Sequence, residues 1–99
     1  MTKVFISQPM KGKTNEEILA ERAEAVAKLE KHMDDIHVID TVLTITVPEH
    51  HPGLVYLAHS IEMLDDADVL VCIKGWQKAR GCRIEHECAK AYGIPIYYL

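Results

Sequence analysis

The residues most able to do chemistry lie in one stretch near the end of the chain, Gly81-Cys-Arg-Ile-Glu85-His-Glu-Cys-Ala89. Wound at about a hundred degrees per residue, Gly81, Cys82, Ile84, Cys88, Ala89, Ala91 and Tyr92 share one half of a helical wheel. Arg80, Arg83, His86, Glu87 and Lys90 take the other half. Glu85 breaks the sorting, because it sits in the middle of the apolar half. A carboxylate on a core-facing arc is costly unless something pairs with it or uses it. Glu85 is therefore either a rim residue with a buried partner or a functional carboxylate. Glu87 lies on the charged face, one turn from Arg83, and is placed to pair with it.

A second chemical feature stands near the start. Gln8, Pro9, Met10, Lys11, Gly12 and Lys13 form a loop between a short apolar run and a helix start. Backbone N–H groups and the dipole of a helix N-terminus favour an anion such as phosphate. Solvated lysines in an ordinary turn are the alternative. The segment is neither a Walker loop nor a dinucleotide fingerprint. Arg80 and Arg83 flank the second junction and suit bidentate anion contacts, or simple solvent exposure with Arg83 paired to Glu87. Trp76, the single tryptophan, is placed in a loop beside Gly75, to stack a base or to fill a subunit contact. His50 and His51 are adjacent, and no spacing resembles a zinc signature, so no metal and no cofactor are expected.

The elements that position these residues follow from pattern. Lys3 to Ser7 and Val69 to Ile73 are short apolar runs, the second continuous, as for a strand covered on both faces. Thr14-Asn-Glu-Glu17 is a capping box. It opens an amphipathic helix to about Met33, with Ile18, Ala25, Val26, Leu29 and Met33 as its stripe. Ile36 to Ile39, extending as far as Ile45, supplies a second strand with an edge-like alternation. Val47 to Gly53 reads as a loop. Leu54 to about Asp66 is a second helix, with Leu54, Leu57, Ile61 and Leu64 at core spacing. A third helix runs from about Gly81 to Tyr92 and is stopped by Gly93 and Pro95. Ile94 to Tyr98 is the last strand.

Four strands alternating with three helices predict a three-layer α/β domain with a parallel sheet, flavodoxin-like or Rossmann-like, in the order 2-1-3-4. That order sets the loops after the first and third strands side by side, so the two chemical features meet in one crevice. Ninety-nine residues make a single domain. A net charge of −4 argues against a nucleic-acid surface. No run is long enough for a membrane span, the first residues are too polar for a secretory signal, and three unpaired cysteines read as reduced thiols. A cytoplasmic location is the expectation.

Three segments, FISQPMKGKTNEEI, YLAHSIEMLDDADVL and GWQKARGCRIEHECAKAYGIPI, resemble the nucleoside 2-deoxyribosyltransferase-like family over nearly the whole chain. The likeness is to a small phage and bacterial branch, related to the deoxynucleoside 5′-monophosphate N-glycosidases. It implies N-glycosidic bond cleavage or deoxyribosyl transfer on a nucleoside or nucleotide, and a homo-oligomer. Gly81, Glu85 and Ala89 match the spacing around the family's glutamate, which implies that Glu85 is the nucleophile. Lys11 and Gly12 match a phosphate-binding run, and Phe5 stands where a tyrosine is usual. The resemblance places Ser7, Gln8, Met10, Gly75, Trp76, Arg80 and Gly81 around the ligand.

Two positions depart from the family. Ser60 stands where a catalytic aspartate is usual, and Ala79 where an aspartate or serine is usual. Asp65, Asp66 and Asp68 are candidate substitutes for the missing acid, although Asp68 also reads as a strand-opening residue. The alternative function is a nucleotide-binding module, weakened in catalysis, that senses or sequesters its ligand. A partner-binding protein with an apolar patch around Trp76 is the third reading.

Overall fold

The computed structural model describes residues 1–41 and 52–99. Four strands, β1 (Thr2–Ser7), β2 (Ile36–Val38), β3 (Val69–Cys72) and β4 (Ile96–Tyr98), alternate with three helices, α1 (Asn15–Glu30), α2 (Pro52–Leu64) and α3 (Arg80–Ala91). The strands form one parallel sheet in the order β2-β1-β3-β4. This is the expected three-layer α/β arrangement. Strand β2 ends at Val38 rather than Ile39, whose N–H still bonds the Val4 carbonyl at 2.9 Å. Pro52 and Gly53, expected in the loop, open α2 instead. The continuation of β2 past residue 41, residues 47–49 of that loop, His50 and His51 lie outside the described residues.

Strand alternation divides the core. Val4 and Ile6 of β1 pack with Val69 and Val71 of β3 against Ala25 and Leu29 of α1. Phe5, Leu70 and Cys72 face the other way, against Leu64 of α2 and Ala89 of α3. Successive residues of β1 thus serve opposite layers, and Ser7, its last residue, points with Phe5 toward α3. The register sets Ser7 opposite Cys72, so both strands end at one level.

Several boundaries move for local reasons. Helix α1 stops at Glu30 rather than near Met33, and the Met33 N–H still reaches the Leu29 carbonyl at 2.8 Å. Helix α2 ends at Leu64, ahead of Asp65 and Asp66. Helix α3 begins one residue earlier than expected and ends at Ala91, with Gly93 at φ 74° just beyond its cap. Strand β4 starts after Pro95, whose carbonyl accepts from the Leu70 N–H. Tyr92, on the apolar half of the wheel, is 84% exposed, because the sheet covers only the arc through Cys82, Glu85 and Ala89.

Candidate active site

Two glycine turns build the crevice floor. Between β1 and α1, the Lys13 N–H bonds the Met10 carbonyl at 3.2 Å, with Gly12 at φ 78° in the third turn position. After β3, the Trp76 N–H bonds the Ile73 carbonyl at 3.2 Å, with Gly75 at φ 93° in the same position. Both positions need the left-handed backbone that glycine adopts without steric cost. The loops touch: a Cβ built on Gly75 would stand 3.6 Å from Pro9 Cγ. The convergence expected from strand order is therefore present.

Glu85 lies on the sheet side of α3 and is 8% exposed. The Ser7 hydroxyl, itself fully buried, donates to Glu85 Oε1 at 2.7 Å. Burial pushes the Glu85 carboxyl up to about 7, and the Ser7 hydrogen bond works against that rise by favouring the ionised form. The thiols of Cys72 and Cys82 neighbour the pair. Burial pushes the Cys72 thiol up to about 12 and raises Cys82 as well, so both stay protonated near neutrality. Helical side chains lean toward the N-terminus, so Glu85 leans over Gly81, one turn earlier. A Cβ built on Gly81 would meet nothing within 4 Å apart from its chain neighbours and the backbone of its own helix, so that position is uncrowded.

The remaining expected site residues divide. Met10, Lys11 and Gly12 are exposed on the first turn. Gln8 is buried and turned toward α1, where its Nε2 donates to the Ile18 carbonyl at 2.6 Å while its Oε1 is sealed without a partner. Phe5 is sealed in the core beneath Ser7. Arg80 is the first residue of α3, not the one before it, and its Nη2 would lie 3.5 Å from a Cβ on Gly53 at the start of α2. Ser60 is half-buried on α2 and takes no part in the hydrogen bonding of Glu85.

Four sequence expectations change. Asp66 and Asp68 are bound to Lys3 at the far, amino-terminal end of β1, through its ammonium at 3.0 Å and its backbone N–H at 2.8 Å. They are removed from Glu85 by the length of the strand, and Asp68 is a strand-opening residue. Lys13 is held by Glu21 at 2.7 Å instead of being merely solvated. Arg83 forms no ion pair with Glu87; its Nη1 donates to the Gln77 carbonyl at 3.1 Å. Trp76 stacks on His86 with ring centroids 4.3 Å apart, and His86 Nε2 meets the Tyr98 hydroxyl at 2.6 Å.

Sequence reasoning missed two contacts. The His86 stack joins residues from three separate elements, and no spacing signals it. The Ser7–Glu85 bond was within reach, because Ser7 shares the α3-facing side of β1 with Phe5 and ends the strand.

Among the described residues, no group of three or more histidine, cysteine or acidic side chains could hold a metal ion. No described helix is long and apolar enough to cross a membrane.

The chain is an α/β protein with a parallel sheet, and its buried carboxyl lies at the carboxyl ends of the two central strands, where the strand order reverses. Within that class the chain belongs to the family described as Domain of unknown function (DUF4406), which it matches over residues 2–98. No curated protein matches the sequence.

Proposed function

We propose that the protein cleaves the N-glycosidic bond of a nucleoside or nucleotide, by hydrolysis or by transfer of the deoxyribosyl group, with Glu85 as nucleophile. The observation that carries this reading is the Glu85 carboxyl, buried at the carboxyl ends of β1 and β3 and held by a single hydroxyl. A desolvated carboxylate is poorly stabilised in its ground state and gains most from a cationic centre developing nearby. In the proposed reaction the carboxylate attacks C1′ as the bond to the base breaks. The bonding pair leaves with the base nitrogen, which then takes a proton. Water hydrolyses the resulting glycosyl ester, or a second base displaces the carboxylate.

Lys11, exposed and without an ion-pair partner among the described residues, supports a preference for a 5′-phosphate over the free nucleoside. Ser60 orients the ligand from α2 in this reading, and Trp76 borders the base. A cytoplasmic location and a homo-oligomer belong to the same proposal.

A second reading, a nucleotide-binding module without turnover, is favoured by the two departures from the family resemblance. Ala79 gives α3 no side-chain cap, and Ser60 offers no acid. Loss of acid–base help costs about a hundred- to ten-thousand-fold in rate. Free-base release from a panel of nucleosides and deoxynucleoside monophosphates, with thermal shift in the same samples, separates the two. Release that vanishes in Glu85→Gln is the expected result. Thermal stabilisation without release, unchanged in Glu85→Gln, would select the binding module instead.

A further inference from the structure

The contact between β1 and α3 assigns a division of labour within the Glu85 carboxyl. We infer that Ser7 is its positioning residue: the Ser7 hydroxyl fixes Oε1 and leaves Oε2 as the oxygen presented to a ligand. The inference deepens the proposed function and rests on Glu85 as the reacting group.

The geometry supports it in three ways. Ser7 is fully buried at the end of β1, so its hydroxyl is carried on a strand hydrogen-bonded to β2 and β3 on both sides. Its Oγ lies 2.7 Å from Glu85 Oε1, the distance of a well-formed O–H···O hydrogen bond. Glu85 Oε2 takes no hydrogen bond from the described residues, yet the one sealed and unpartnered side-chain atom among them is Gln8 Oε1. Oε2 is therefore not sealed from solvent, on a side chain that leans toward Gly81, one turn earlier.

No charged group competes for this role. From β3 the Cys72 thiol faces the carboxyl and from α3 the Cys82 thiol, both kept neutral by burial. Among the described residues, no lysine, arginine or histidine shifts the Glu85 carboxyl, and Ser7 supplies the only hydrogen bond that does. Phe5, two residues earlier on the same face of β1, has no polar atom to offer.

The test follows the Glu85 carboxyl directly. Protein labelled with carbon-13 at the glutamate carboxyl is titrated from well below to well above neutrality, with Glu85→Gln identifying the resonance. Ser7→Ala is expected to raise the Glu85 midpoint by about one pH unit, because the bond lost favours the ionised form. Ser7→Thr, which retains the hydroxyl, is expected to restore it. Ser7→Cys keeps the volume with a weaker donor and gives the same comparison if the alanine variant does not fold.

Base release supplies the second readout. Ser7→Ala is expected to shift the acid limb of the pH–rate profile upward with the midpoint and to lower kcat about ten- to a hundredfold, with KM little changed. An unchanged midpoint, or an unchanged kcat and acid limb in a protein that releases base, would overturn the inference. A shifted midpoint in a protein that releases no base keeps Ser7 as the group that holds Glu85 and removes only the reading of Glu85 as nucleophile.

Discussion

The two loops that meet at the crevice handle their polar groups in opposite ways. The loop after β1 commits most of its own, with the sealed Gln8 Oε1 and the exposed Lys11 as exceptions. Thr14 accepts from the Glu17 N–H at 3.1 Å, and Glu17 accepts from the Thr14 N–H at 3.0 Å, which closes the N-terminus of α1. Lys13 is spent on Glu21, and the Gln8 amide on the Ile18 carbonyl. The loop after β3 leaves its polar groups open. Ala79 cannot cap α3, Arg80 and Lys74 have no ion-pair partner among the described residues, and a carboxyl is buried one turn into the helix against a lone hydroxyl. A fold gains stability from the first arrangement and gives it up in the second. Under the proposed function, that asymmetry makes the β3–α3 side the chemical half of the site and the β1–α1 side the frame that carries Ser7 to it.

The sharpest way to break this contrast is to remove the carboxylate. Glu85→Gln is expected to lower base release by about ten-thousandfold or more, with the fold retained. Retained activity would move the chemistry off α3.

Linkage gives the next largest effect. The Glu85 midpoint stands at about 7 in the folded chain against an ordinary 4.5, so the folded state holds this proton more tightly than the unfolded chain. Stability contributed by Glu85 therefore falls as pH rises from about 4.5 to about 7 and stays low above that window, by a total of about 3 kcal/mol. Glu85→Gln does not titrate. Its stability relative to the parent, measured by denaturant unfolding, is expected to rise across the same window and then level off. A difference that is flat with pH would show that the carboxyl is not desolvated.

Two cations then sharpen the comparison. Lys11→Ala and Arg80→Ala are each expected to weaken binding of a deoxynucleoside monophosphate about tenfold, read by calorimetry, while leaving the free nucleoside unaffected. Lys13→Ala, already committed to Glu21, is expected to change neither. An equal loss from Lys13→Ala would erase the distinction between the closed loop and the open one.

The smallest effects test the caps. Thr14→Ala is expected to cost about 1 kcal/mol of stability, and Ala79→Ser to add up to about 1 kcal/mol, both by denaturant unfolding. A stabilised Ala79→Ser that retains full base release would show that the bare N-terminus of α3 is not used by the ligand.

Much of this architecture was legible in the chain itself, because it rests on local signals. A continuous Val69–Ile73 run, a Thr14–Glu17 capping box and a Gly93 stop each act within a few residues, so strand, helix start and helix end follow from short-range sterics and hydrogen bonding. Alternation of strands and helices then leaves a parallel sheet as the arrangement that buries both faces. The anomaly of Glu85 is likewise a property of helical periodicity alone. What the chain could not show by itself is which polar groups find each other across it. Ser7 and Glu85 are 78 residues apart, yet they share a buried hydrogen bond because β1 and α3 meet in the same layer. Lys13 pairs with Glu21, Lys3 holds Asp66 and Asp68 at the end of the sheet opposite Glu85, and His86 stacks on Trp76. The covered arc of α3 is narrower than its apolar half, so Tyr92 stays outside while the carboxylate goes in. Periodicity says which side chains point the same way; only packing decides which of them lose water and which partner remains to replace it.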